Sequence, residues 1–233
     1  MNISFENTNK IRVISERTAS HNVDPQKGFT PLCPNELPVP DGHLIGKELA
    51  KQNLIGIVKT ISRDMHSKNA LWVATEENPQ FTPIVGHKNV DMFWNLHCES
   101  GTFGSEILDE LGKIEDFNFI VNKGVDPHLH PYTSVYHDQE GKISTGLIEF
   151  YNYHNITTII VGGLALNYCV GETLKDLSNA GFQVILNLAA TKGLGTEEEL
   201  DKYIEMLVID YNILVINSVK DIEIESETIG KFL

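Results

Sequence analysis

Cys169 lies in Thr157-Thr-Ile-Ile-Val-Gly-Gly-Leu-Ala-Leu-Asn-Tyr-Cys-Val-Gly-Glu-Thr-Leu174, where an apolar β-branched run meets an amphipathic stretch. A thiol at the entrance of a helix stands beside unsatisfied N–H groups and partial positive charge. These lower its pKa and offer donors to an oxyanion forming next to the sulfur. Attack on a carbonyl is the chemistry such a residue can do. Cysteine is also among the most often buried residue types, so on this segment alone core filling is the better explanation.

The ends of the other β-rich runs change that balance. Asp24 follows the first run, Asp64 and His66 follow the second, and Lys123 follows the third. In an open parallel sheet, ligands bind beyond the carboxyl ends of the strands, so these are the positions where chemistry is expected. Each has an ordinary explanation: aspartate caps helices and starts turns, lysine ends exposed strands, and Asp-x-His occurs in loops. An acid, an Asp/His pair, a lysine and a cysteine on four successive strand ends together point to a catalytic site. Asp64 and His66 are two residues apart, which in extended chain places both on one side, as a shared metal ion requires. His97 is a candidate third ligand and Glu76 a weaker fourth. His21, His87, His128, His130 and His137 show no comparable spacing and are read as surface or supporting residues.

The elements that must position these residues alternate between short β-rich runs and helical periodicity, which gives an α/β class. The expected fold is a three-layer α-β-α arrangement, an open, mostly parallel, Rossmann-like sheet with helices on both faces. Expected strands are 11–23, 54–61, 117–121, 157–161, 182–186 and 213–215. Expected helices are 42–51, 105–111, 146–153, 168–180 and 196–211. The stretch 222–229 alternates like an exposed strand or a subunit-contacting tail. The segments 25–40 and 64–104 carry no regular signal, and loops of that length are usually functional; their aromatic content argues against disorder.

The chain has 233 residues and 41% hydrophobic content, enough for one cored domain spanning 1–233. Its apolar runs are too short to cross a bilayer, and Met1 to Phe5 lacks a signal-peptide layout, so a cytoplasmic protein without a membrane partner is expected. The three cysteines, Cys33, Cys98 and Cys169, form no paired motif and are expected to be reduced. A net charge of −14, from 18 basic and 32 acidic residues, argues against nucleic acid as a partner.

From about Val23 to about Ile216 the chain resembles the nicotinamidases of the isochorismatase-like cysteine hydrolase superfamily. The resemblance rests on Asp24-Pro-Gln-Lys-Gly-Phe29, Ser62-Arg-Asp-Met-His66, Trp94-Asn-Leu-His-Cys-Glu-Ser-Gly-Thr-Phe-Gly-Ser-Glu106, Lys123-Gly, Ser144-Thr-Gly-Leu-Ile-Glu149 and Gly163-Leu-Ala-Leu-Asn-Tyr-Cys-Val170. It implies a catalytic triad of Asp24, Lys123 and Cys169, and a divalent metal ion (zinc, iron or manganese) held by Asp64, His66 and His97. It further implies a cis peptide between Leu164 and Ala165 that turns the N–H groups of Ala165 and Cys169 toward an oxyanion. Phe29, Trp94, Tyr132 and Leu164 are the implied substrate contacts. The implied activity is hydrolysis of nicotinamide to nicotinic acid and ammonia through a cysteine thioester, in NAD salvage, with pyrazinamide as a related substrate and self-association into a homo-oligomer.

The chain departs from the family pattern in three places. Ala70 stands where many members carry a further histidine, Asn167 stands where aspartate is usual, and Ser20-His-Asn22 interrupts an apolar strand. Two other readings compete. One is a metal-independent hydrolase of the same superfamily acting on a ureido, carbamoyl or vinyl-ether substrate. The other is a non-catalytic or redox-sensing protein that keeps the fold.

Overall fold

The computed structural model describes residues 10–226. Six parallel strands form the central sheet: β2 (Thr18–Val23), β3 (Val58–Asp64), β4 (Phe119–Lys123), β5 (Thr158–Gly163), β6 (Gln183–Thr191) and β7 (Leu214–Ile216), in the order β4-β3-β2-β5-β6-β7. Successive strands proceed outward in one direction from β2 and in the other from β5. The carboxyl edge between them is therefore the switch point at which such sheets bind ligands.

Both faces of the sheet are covered, and the strand sequences show it. Along β5, Ile159 and Val161 enter one layer while Ile160 enters the opposite one. A strand buried on both faces reads as a continuous apolar run, which is why 157–161 stands out in the sequence. One layer holds α2 (Leu147–Tyr153), α3 (Gly171–Asn179) and α4 (Glu197–Tyr211), packed through Leu147, Tyr151, Leu174, Leu177, Leu200, Ile204 and Leu207. The other holds α1 (Gly46–Gln52), which contributes Leu49 to a cluster with Phe29, Trp72 and Trp94 from the long segments. The α4 helix starts as its sequence dictates. Thr196 and Glu199 form a capping box, and the first turn carries Glu197, Glu198 and Glu199 at the positive end of the dipole.

Several elements differ from the sequence-based expectation. The run 11–23 is two strands: a 3-10 turn at Ser15–Arg17 separates β1 (Ile11–Ile14) from β2, and β1 pairs in parallel with β8 (Ile222–Glu225) in a separate two-stranded sheet. The rest of the alternating 222–229 stretch beyond residue 226 lies outside the described residues. The expected helix 105–111 is instead two 3-10 turns, Phe103–Ser105 and Asp109–Leu111. Here tertiary pairing overrides periodicity, because Lys27 N–H bonds Glu106 C=O at 2.9 Å and Leu108 N–H bonds Pro25 C=O at 2.9 Å. The expected 42–51 helix begins as a 3-10 turn over Gly42–Ile45, and the 168–180 helix is entered through a widened turn at Leu166–Val170. Residues 25–40 and 64–104 are irregular apart from isolated bridges and 3-10 turns such as Lys27–Phe29.

Candidate active site

The carboxyl edge of the sheet gathers four charged or reactive side chains in the interior. β2 ends into Asp24, β3 ends in Asp64, β4 ends in Lys123, and β5 leads through Gly163 and a cis Leu164–Ala165 peptide to Cys169. A side chain at Gly163, whose φ is 139°, would collide with the Val23 backbone, so glycine is required for β5 to turn here. Gly124, after Lys123, serves the site differently: a Cβ at this position would strike the His66 ring.

Lys123 is the centre of the arrangement. Its Nζ lies 2.8 Å from Asp24 Oδ2 and 3.1 Å from Asp64 Oδ1, and it donates to Tyr132 C=O at 2.9 Å and to the Cys169 thiol at 3.4 Å. Burial alone would discharge this ammonium, but the two carboxylates outweigh it and hold the pKa well above the lysine range. A buried cation between two anions is tolerated because each charge is paired and hydrogen-bonded. Asp24 takes a left-handed φ of 43°, fixed by a bond from its N–H to Ser62 C=O at 3.1 Å, while Ser62 Oγ donates to Asp24 Oδ1 at 2.7 Å. Ser134 Oγ in turn donates to Ser62 Oγ at 2.8 Å.

The two carboxylates are tuned apart. Burial raises Asp24 to about 6 against the pull of Lys123. Asp64 is equally buried, but Lys123 and His66 beside it overcome the desolvation and keep it ionised well below the usual range. One acid is thus poised to exchange a proton near neutrality and the other is a fixed anion. Ligand atoms of Asp24, Asp64 and Cys169 all lie within 4.8 Å of one another. The expectation of a thiol with a lowered pKa does not hold: burial, joined by Asp24 and Asp64, raises Cys169 well above the cysteine range despite Lys123. Cys169 rests as a thiol.

A second cluster adjoins the first. Ring nitrogens of His66, His97 and His130 lie within 4.8 Å of one another, all three residues are buried, and Asp64 Oδ2 is 3.5 Å from His66 Nε2. Backbone carbonyls orient two of the rings: His66 Nδ1 faces Gly124 C=O at 3.2 Å and His97 Nδ1 faces Asn95 C=O at 2.6 Å. His66 Nε2 and His130 Nδ1 are left buried with no hydrogen-bond partner. Burial, then the neighbouring imidazoles, lowers His97 to about 3 and His130 well below the histidine range, so both are neutral and able to ligate. Two orphaned nitrogens in the interior with a carboxylate at their side could hold a metal ion.

Phe29, Leu37, Asp64, Trp94, His97, His130, Tyr132, Ala165, Tyr168, Cys169 and Leu194 line one narrow, mostly apolar cavity that joins the two clusters. Trp94 Nε1 donates to Tyr132 Oη at 3.1 Å, and Tyr132 Oη donates to Asp91 at 2.9 Å, which fixes both aromatic walls.

The structure thus brings together Asp24, Lys123, Cys169, Asp64, His66, His97, Phe29, Trp94, Tyr132 and Ala165. It does not bring Leu164 to the cavity: the side chain is fully buried in the cluster beside α1, packed near Gly42. Glu76 is exposed and lies outside the cluster, since its segment turns on the surface. His130 and His21, read from sequence as surface or supporting residues, are both buried, and His130 belongs to the histidine cluster. Gln26 is a further supporting residue: its amide donates to Asp64 C=O and accepts from Asp64 N–H, each at 2.7 Å. It lies within the quoted Asp24 to Phe29 motif, but nothing in its type signals that clamp.

Among the described residues, no helix is long and apolar enough to cross a membrane. A family profile described as Isochorismatase domain matches residues 19–215. The chain is 26% identical over 174 residues to a nicotinamidase of Acinetobacter baylyi, an alignment covering 74% of this chain and 79% of the relative. The solved nicotinamidase and pyrazinamidase of Acinetobacter baumanii superposes with a TM-score of 0.79 at 25% identity, over 88% of this chain and 98% of that one. A pyrazinamidase of Pyrococcus horikoshii, solved in complex with zinc, gives a TM-score of 0.69 at 24% identity over 86% of this chain and 98% of that one, a likeness of fold.

Proposed function

The chain belongs to the isochorismatase-domain family, and from that premise we propose that it is a nicotinamidase, hydrolysing nicotinamide to nicotinic acid and ammonia with Cys169 as nucleophile. The observation that carries this reading is the adjacency of two buried sets on one small aromatic cavity: Asp24, Lys123 and Cys169, and the donors around His66. The nicotinamidase and pyrazinamidase relatives act on compounds of the same kind, an amide on a nitrogen heteroaromatic ring.

Cys169 Sγ attacks the carboxamide carbon while the thiol proton passes to Asp24. With the thiol's pKa raised and that of Asp24 near 6, proton transfer accompanies attack instead of preceding it. Asp24 then returns the proton to the amide nitrogen, which leaves as ammonia, and a nicotinoyl thioester remains on Cys169. Asp24 next takes a proton from water as its oxygen adds to the thioester. It hands that proton to the departing Cys169 sulfur, releasing nicotinic acid. Lys123 keeps Asp24 oriented and offsets negative charge on the sulfur. The backbone N–H groups of Ala165 and Cys169 are assigned to the oxyanion, where such a donor is worth roughly 3 kcal/mol.

Asp64, His66 and His97 would hold a divalent ion, with zinc favoured by the donor types and by the zinc-bound neighbour. Such an ion would supply a Lewis-acid anchor for the pyridine nitrogen. Phe29, Trp94 and Tyr132 sandwich the ring and exclude water. The place of the reaction is a cytoplasmic nicotinamide salvage step feeding pyridine-nucleotide synthesis.

The test is stoichiometric release of nicotinic acid and ammonia from nicotinamide by zinc-loaded protein. Release in equal amounts is expected. No release from nicotinamide together with turnover of a ureido or carbamoyl compound would replace this reading with the metal-independent one.

A further inference from the structure

We propose that His130 is a protein ligand of the divalent ion, making the centre of this chain a three-histidine, one-aspartate site. The proposal rests on the metal site assigned above and adds to it a residue from a loop that carries none of the other ligands.

His130 has the features of a ligand and few of those of a packing residue. It is 4% exposed, its Nδ1 is buried without any hydrogen-bond partner, and its ligating atom lies within 4.8 Å of those of His66 and His97. Nitrogens bound to one ion at about 2.1 Å are at most about 4.2 Å apart, so this envelope closes onto a single ion with only small shifts. A buried imidazole nitrogen left unpaired is unfavourable, a cost that bound metal would offset and an aromatic wall alone would not.

The surroundings fix the ring where a ligand is needed. Trp72 packs against His130 at 4.4 Å and against His66 at 4.5 Å between ring centroids, so one indole backs both imidazoles. Its backbone is tied at both groups, His130 N–H to Asn89 C=O at 2.9 Å and Gln139 Nε2 to His130 C=O at 2.9 Å. The two following residues are held by Lys123, whose Nζ donates to Pro131 C=O at 3.3 Å and Tyr132 C=O at 2.9 Å. The lysine of the catalytic cluster therefore also anchors the segment that presents His130. Ala70, in the segment that leads to Trp72, offers no donor of its own.

A donor set of three imidazoles and one carboxylate favours zinc, cobalt or nickel over manganese or magnesium more strongly than two imidazoles would. X-ray absorption of the zinc-loaded wild-type protein tests the proposal without any substitution: three coordinated imidazoles are expected, and two would overturn it. Chelator competition for zinc is the second readout. His130→Ala is expected to weaken zinc binding by at least about tenfold, since even loss of an outer-shell partner costs 10–100-fold. An unchanged competition midpoint in His130→Ala would also overturn it, leaving His130 as a wall of the cavity. His66→Ala separates the two levels: zinc affinity unchanged in that variant would remove the metal site itself, whereas loss there with retention in His130→Ala would remove only this ligand.

Discussion

Two buried polar regions lie along the same strand and behave differently. In the middle of β2, Ser20, His21 and Asn22 join a hydrogen-bonded network across the sheet. Ser20 Oγ and Asn22 Nδ2 both donate to Asn53 Oδ1, His21 Nδ1 pairs with Thr60 Oγ1 at 2.9 Å, and Thr60 Oγ1 pairs with Tyr151 Oη at 2.6 Å. Gln52 links this group to β5 and β6, donating to Ser20 Oγ and Ile160 C=O and accepting from Asn187 Nδ2. These side chains are neutral and each makes at least one hydrogen bond, though His21 Nε2, Asn22 Oδ1 and Asn187 Oδ1 are buried without a partner, and none lines the cavity. At the end of β2, by contrast, Asp24 joins Lys123 and Asp64 in a cluster of full charges, next to imidazole nitrogens without partners and against an open cavity. Burial of polar groups is common to both. Orphaned buried atoms also occur in both; full charge, clustered imidazoles and access to a cavity mark the region where chemistry is expected, and a neutral network spanning the strands marks the one that holds the sheet together.

The sharpest separation comes from Cys169→Ala. Nicotinamide turnover is expected to fall by about 10⁴-fold or more, while stability to urea changes by less than about 1 kcal/mol. Lys123→Met should break the division, because it strands Asp24 and Asp64 as uncompensated buried anions. Loss of activity is expected together with about 3–5 kcal/mol of stability in a denaturant titration. In the β2 network, Gln52→Ala should cost about 1–3 kcal/mol through its abandoned partners, with turnover per folded molecule unchanged. A change in KM for that variant would mean that the network reaches the site.

The effect smallest at neutral pH is one that appears only on acidification. Burial, then Lys123, lowers His21 to about 3 in the folded protein, against about 6.5 when unfolded. The unfolded chain therefore binds the extra proton between these values, and stability contributed by neutral His21 is present above pH 6.5 and lost as pH falls toward 3. His21→Gln should flatten that limb of a stability-versus-pH curve. An identical limb in the variant would assign the loss to His97 and the cluster at the strand ends.

How much of this was legible in the sequence depends on the residue. Asp24, Asp64, Lys123 and Cys169 follow strands, and a parallel sheet aligns strand ends, so their convergence can be read from periodicity. The carboxyl-edge location and the α/β class follow from the same signal. His130 sits in an irregular segment whose path is set by bonds donated by Lys123 and Gln139 and accepted by Asn89, none of which has a sequence period. The 105–111 stretch misleads because the segment 25–27 claims its backbone. The thiol's raised pKa is equally hidden: the position before α3 argues for lowering, and burial, joined by Asp24 and Asp64, reverses it. Ser20-His-Asn22 interrupts an apolar strand in the sequence, yet its partners come from α1, β3 and the loop after α1, which no local pattern reveals.

The measurement that bears most directly on this division is ammonia release from nicotinamide by zinc-loaded wild type, Cys169→Ala and Gln52→Ala, normalised to folded protein. Turnover in wild type and Gln52→Ala but not in Cys169→Ala is the expected result; turnover that survives in Cys169→Ala would contradict the assignment of the strand-end cluster as the site of chemistry.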